Sequence, residues 1–251
     1  MKEAIQTLIT SDKMAHAFEY LKQDEAHTID QQIELVQISS FSPFEEKRAI
    51  RFKELLTEAG LDPVMDEVHN VYAHIHGTGN GPTLYVSAHL DTVFPPETPL
   101  PVKREGTKIY APGIGDDTRG LAEILTLARA IKESGLKPVG DIIIGGNVGE
   151  EGLGDLRGMR HFFSQNADKV DGFISVDGAG CLICHGGKPP LRGNLPRTGW
   201  TFLRCLRSCQ SDLCHGACYL LYLRAPHPER TEDYLLRRCR KRRNLHQCHR
   251  V

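Results

Sequence analysis

No stretch of this chain approaches the roughly 18 consecutive apolar residues needed to span a bilayer. Its start, Met1-Lys2-Glu3-Ala4-Ile5-Gln6, also lacks the basic segment and following apolar run of a secretory signal. Membrane and exported classes are therefore set aside, and a soluble, cytoplasmic protein without a membrane partner is expected. Cysteine is missing from most of the chain: all eight fall late, at Cys181, Cys184, Cys205, Cys209, Cys214, Cys218, Cys239 and Cys248. Net charge is nearly missing as well, at −1, but the balance hides an asymmetry. From Leu191 onward there are 13 basic and four acidic residues, against 18 basic and 28 acidic before it. The chain thus has two compositions, with a boundary near residue 185. At 251 residues and 40% hydrophobic it can bury a full core, and it is long enough to be an enzyme.

Helical spacing of apolar residues is present from Glu3 to Leu21 and from Ile29 to Ile38. Ser42-Pro43-Phe44-Glu45-Glu46 reads as the start of a further helix, with Ser as cap and Pro in the first turn, ending at Gly60. Its Glu45-Glu46 pair reads as favourable charge at a helix start. Short strands are expected around Pro63 to Met65 and Val71 to Ile75, and buried strands at Thr83 to Val86, Asp141 to Ile144 and Phe173 to Val176. The prolines from Pro95 to Pro101 mark an extended loop. Helical segments alternate with the three buried strands. This predicts an α/β fold, a doubly wound and mostly parallel sheet with helices on both faces.

Each buried strand delivers polar residues at its C-terminal end: His89 and Asp91 after the first, Glu150 and Glu151 after the second, Asp177 at the end of the third. Asp116 and Asp117 stand at a loop-to-helix junction, where N-capping is the plain alternative role. So many carboxylates at one sheet edge repel one another unless a cation sits among them. One His with Asp116, Glu151 and Asp177 offers hard and borderline ligands suited to Zn2+, Co2+ or Mn2+. Adjacent glutamates can divide the labour, one ligating metal and the other acting as general base.

The set His89-Leu90-Asp91, Gly115-Asp116-Asp117, Glu150-Glu151 and Val176-Asp177-Gly178, in that order and spacing, resembles the di-zinc exopeptidase and deacylase family of peptidase T, glutamate carboxypeptidase and aminoacylase. The likeness spans roughly residues 28 to 185. It implies His89 and Asp177 on one zinc, Asp116 bridging, Glu151 on the other zinc, Glu150 as the base, and Asp91 orienting His89. Asp177, where carboxypeptidase-type members carry Glu, leans toward the peptidase T side. The implied substrate is a small peptide, and the implied activity that of an aminopeptidase. An N-acyl amino acid deacylase would use the same metals with a different pocket. Thr118-Arg119 departs from members that have Lys after the acidic pair.

Residues 1–187 therefore read as the N-terminal part of a di-zinc catalytic domain. Family members continue into a lid and dimerisation domain and supply a last histidine to the second zinc, and nothing after Gly187 resembles that. The spacing of Cys205, Cys209, Cys214, His215 and Cys218 fits no zinc-knuckle pattern, and the basic excess is not read as a nucleic-acid site. The genetic code offers another account. Read one base later, codons for Arg197 to Leu203 permit Gly-Pro-Gly-Gly-His-Ser, a hexapeptide of the family's lid, with the second of the paired glycines forced by Trp200. Gln210 to Leu220 and Thr231 to Arg250 permit further family-like stretches in the same frame. Residues 188–251 then form an out-of-frame, unstructured tail in a truncated and inactive product, and a homodimer is expected only with the lid restored.

Overall fold

The computed structural model describes residues 2–79, 81–179 and 217–223. Three helices open the chain, α1 (Lys2–Ile9), α2 (Asp12–Gln23) and α3 (Glu25–Val36). The expected single helix from Glu3 to Leu21 is broken at Thr10-Ser11. There the hydroxyls bond back to the carbonyls of Gln6 and Leu8 at 2.8 Å each and compete with continuation of the helix. Helix α4 (Glu46–Glu58) begins four residues after Ser42. The chain before it is held beside the exit of a central strand, by the Ser40 hydroxyl on the Leu90 carbonyl at 2.7 Å and by a parallel bridge from Phe41 to Thr92, and then turns at residues 42–43. Ser42 is therefore not the cap.

The main sheet contains β1 (Val64–Met65), β2 (Val71–Ile75), β3 (Leu84–His89), β6 (Ile142–Asn147), β7 (Gly172–Ala179) and β8 (Ala217–Leu223), in the order β1-β2-β6-β3-β7-β8. A separate hairpin, β4 (Lys103–Glu105) with β5 (Lys108–Tyr110), follows the proline-rich loop. The fold is α/β, but the sheet is mixed rather than mostly parallel. Only the pairs β6 with β3 and β3 with β7 are parallel. The link from β2 to β3 is too short for a crossover helix, so β2 pairs antiparallel, with β6.

The parallel centre comes from two crossovers. Helix α5 (Thr118–Glu133) joins β3 to β6, and α6 (Arg157–Asn166) joins β6 to β7. The chain moves out from β3 to β6 and then back past β3 to β7, so right-handed crossovers put the two helices on opposite faces. On one face Phe52, Leu55 and Leu56 of α4 and Leu121, Ile124 and Leu125 of α5 pack with Val86, Ala88 and Ile144. On the other, Met159 and Phe162 of α6 pack with Tyr85, Ile143 and Phe173. The reversal of winding opens a crevice at the carboxyl ends of the central strands, the usual place for a ligand in such sheets.

Strand β7 runs past Val176 through Asp177, further than its apolar run alone predicts, and β8 pairs antiparallel along it. β8 comes from the stretch expected to be an unstructured tail. Its Ala-Cys-Tyr-Leu-Leu-Tyr-Leu composition suits a strand, and it covers the β7 edge. The remainder of 188–251, and the domain boundary at residue 187, lie outside the described residues.

Candidate active site

His89 closes β3, where it pairs with Asn147, the last residue of β6. Ser87 of β3 pairs with Ser175 of β7, and His89 and Asp177 each lie two residues further on, so strand alternation sends both to the same face. Ligand atoms of His89, Asp116 and Asp177 lie within 4.8 Å of one another, and so do those of His89, Glu150 and Glu151. All the carboxylates singled out in the sequence therefore converge on one buried imidazole.

The bonds of His89 fix its state. Its Nδ1 lies 2.9 Å from the main-chain carbonyl of Asp91, which can only accept, so Nδ1 carries a proton. Nε2 lies 2.8 Å from Asp116 Oδ1. Burial opposes a charged ring, but the bonds to Asp116 and Asp91 and the charges of Asp117 and Asp177 outweigh it, and the His89 pKa stands well above its ordinary value. A proton thus sits on Nε2 between ring and carboxylate, where a divalent cation suits the same donors better.

Asp91 has more to do than orient the ring. Its carboxylate accepts the backbone N–H groups of Glu150 at 3.0 Å and Glu151 at 2.8 Å, while Oδ1 stands 3.6 Å from His89 Nδ1. Burial pushes its pKa up, but His89 and these two N–H donors override that and hold it below the ordinary carboxylate value. Burial raises Glu150 to about 7, with Asp177, Glu151 and Asp91 adding to the rise against His89. Burial and the Asp116 charge raise Glu151.

The acidic pair splits its two expected roles. Asp117 caps α5 by accepting from the Gly120 N–H at 3.0 Å, and its other oxygen takes the N–H of His89 at 2.9 Å. Asp116, more than half exposed, faces the site. Two groups escaped the sequence reading. Arg48 is buried on α4, where it donates to the carbonyls of Leu90 at 2.8 Å and Ile38 at 2.7 Å. Burial lowers its pKa to about 10, against the pull of Asp91 and Asp117, so it remains a cation beneath the carboxylates at neutral pH. Its place among Ala49, Phe52, Leu55 and Leu56 on the apolar side of α4 was the available signal. Asn70, also buried, gave no such signal. It joins the Val148 N–H, at 3.1 Å, to the Gly158 carbonyl, at 2.9 Å.

The donor set fits a pair of divalent ions: one borderline nitrogen, four carboxylates in two overlapping groups, and a histidine held by a backbone carbonyl. The sequence profile of peptidase family M20/M25/M40 matches residues 85–194. Carboxypeptidase G2 of Pseudomonas sp. (strain RS-16) is 34% identical over 110 residues, covering 43% of this chain and 26% of that protein. Aminopeptidase PepT from Bacillus cereus ATCC 10987 shares the fold with a TM-score of 0.51 at 23% identity, over 61% of this chain and 43% of that one. Human carnosine dipeptidase 1 does so with a TM-score of 0.54 at 14% identity, over 66% and 41%. The chain spans about a quarter of the length of carboxypeptidase G2. Over residues 85–194 the chain is thus similar to peptidase family M20/M25/M40.

Proposed function

We propose that this chain derives from a metal-dependent hydrolase of peptide or N-acyl amide bonds, a di-zinc aminopeptidase acting on small peptides. The observation that carries the reading is the convergence of Asp116, Glu150, Glu151 and Asp177 on the single ring of His89. His89 and Asp177 would hold one ion and Glu151 a second, with Asp116 available to both. Co2+ and Mn2+ suit the same oxygens and nitrogen as Zn2+. Bound divalent ions polarise an amide carbonyl and make an attacking water more acidic. Glu150, at about 7, is poised to take a proton from water and return it to the leaving amine. Asp91 stays ionised, fixes the ring of His89 through its carbonyl, and holds the two glutamates by their backbone. Asp117 anchors the backbone of His89 to the start of α5.

The aminopeptidase assignment rests on Asp177, and the family match supports hydrolysis of a peptide bond. That match ends at residue 194, close to the change of composition near 185, which supports an out-of-frame tail. The 251-residue product accordingly has negligible turnover. A frame-restored chain loaded with zinc and offered tripeptides beside N-acyl amino acids tests the substrate class. Release of N-terminal residues from tripeptides is expected. Cleavage of the N-acyl amino acids alone would make it a deacylase.

A further inference from the structure

Residues 148–158 form a closed loop that carries Glu150 and Glu151. Its neck is sealed by the Gly158 N–H on the Val148 carbonyl at 3.0 Å and by Asn70, which bonds both sides. A Cβ on Gly158 would stand 2.2 Å from Asn70 Oδ1, so the neck closes only on glycine. Asp91 holds the glutamate end. The opposite end is held by Arg157, whose guanidinium reaches across to residues far away in sequence. Nη2 donates to Glu45 Oε2, and Nη1 donates to Ser42 Oγ at 2.9 Å. The same side chain lies against Gly149, which has φ +68, and a Cβ there would stand 2.4 Å from Arg157 Nη1. Gly149 directly precedes Glu150.

Glu45 is the N-cap residue of α4, yet its side chain makes no capping bond. It is fully buried, its Oε1 has no hydrogen-bond partner among the described residues, and its one ion-pair partner there is Arg157. A carboxylate buried at such cost, and turned away from its own helix start, is serving the loop. We propose that Glu45 and Arg157 are positioning residues, a buried ion pair that fixes the loop carrying Glu150 and Glu151 against α4. The inference rests on the roles assigned above to those two glutamates.

The test uses the full 251-residue chain without metal, followed by zinc titration. Arg157→Lys keeps the charge but loses the two-pronged donor, and the double variant Glu45→Gln with Arg157→Met avoids stranding a buried charge. In both, amide exchange at Glu150 and Glu151 should quicken by about tenfold or more, while Ile143, Ile144 and Leu125 keep their protection. Affinity for the one zinc assigned to His89 and Asp177 should be kept, because the loop carries no ligand assigned to that ion. Unchanged loop exchange in the double variant overturns the proposal. Protection lost equally across β3, β6 and α5 overturns it too, since the pair is then a general staple. A wild-type chain that binds no zinc contradicts the metal reading instead, and the exchange data still judge the clamp.

Discussion

Removing one base near codons 184 to 190 should raise tripeptide hydrolysis by at least about a thousandfold over the chain as it stands. In the proposed arrangement the second metal would draw on Asp116 and Glu151, with His89, which belongs to both groups of candidate ligands, assigned to the first. The resemblance implies a further histidine for that position and a lid histidine, and on the proposed frameshift the chain as written supplies neither. Loss of one preorganised charge stabiliser alone typically costs about 10²–10³ in rate, and loss of substrate positioning adds to it. The comparison is of initial rates on one tripeptide at saturating zinc, with zinc content measured on each sample. An ordinary enzyme rate from the 251-residue product would show that the tail is no impediment.

Glu150→Gln in the frame-restored chain should lower kcat by about 10²–10⁴ while leaving zinc content unchanged. The amide is close in shape to the carboxyl and keeps the Glu150 N–H on Asp91, so the loop should hold its place. What the variant loses is a carboxylate that burial has tuned to about 7, within reach of working pH. Glu151→Gln should behave differently and lose zinc first. If the two variants lose zinc alike, base and ligand have been assigned the wrong way round.

The convergence of these side chains is legible in the sequence because strand geometry is simple. An apolar run of four to six residues declares a buried strand, and polar residues just past it must lie at its mouth, so the sequence alone brings His89, Glu150, Glu151 and Asp177 together. Strand order was harder to see. The antiparallel pairing of β2 depends on β6 entering between β2 and β3, a long-range fact that no local pattern encodes. Glu45 reads as helix-start charge because that is what local chemistry favours, and its real partner, Arg157, lies 112 residues away. Asp91 is half legible. Its nearness to His89 in sequence suggests that it orients the ring, but its grip on two backbone N–H groups depends on how the β6–α6 loop folds back.

The most direct measurement is a calorimetric zinc titration of the 251-residue chain, at pH 6 and pH 8, beside its His89→Ala and Asp177→Asn variants. His89 holds its proton well above the ordinary pKa, and zinc must displace it from Nε2. Affinity should therefore rise with pH, by about tenfold per unit for each proton released, with Glu150 adding to the release below about 7. One zinc should bind with proton release, and binding should be abolished by His89→Ala and weakened by Asp177→Asn. Zinc binding that is indifferent to both substitutions and to pH, or no binding at all, would contradict the metal reading.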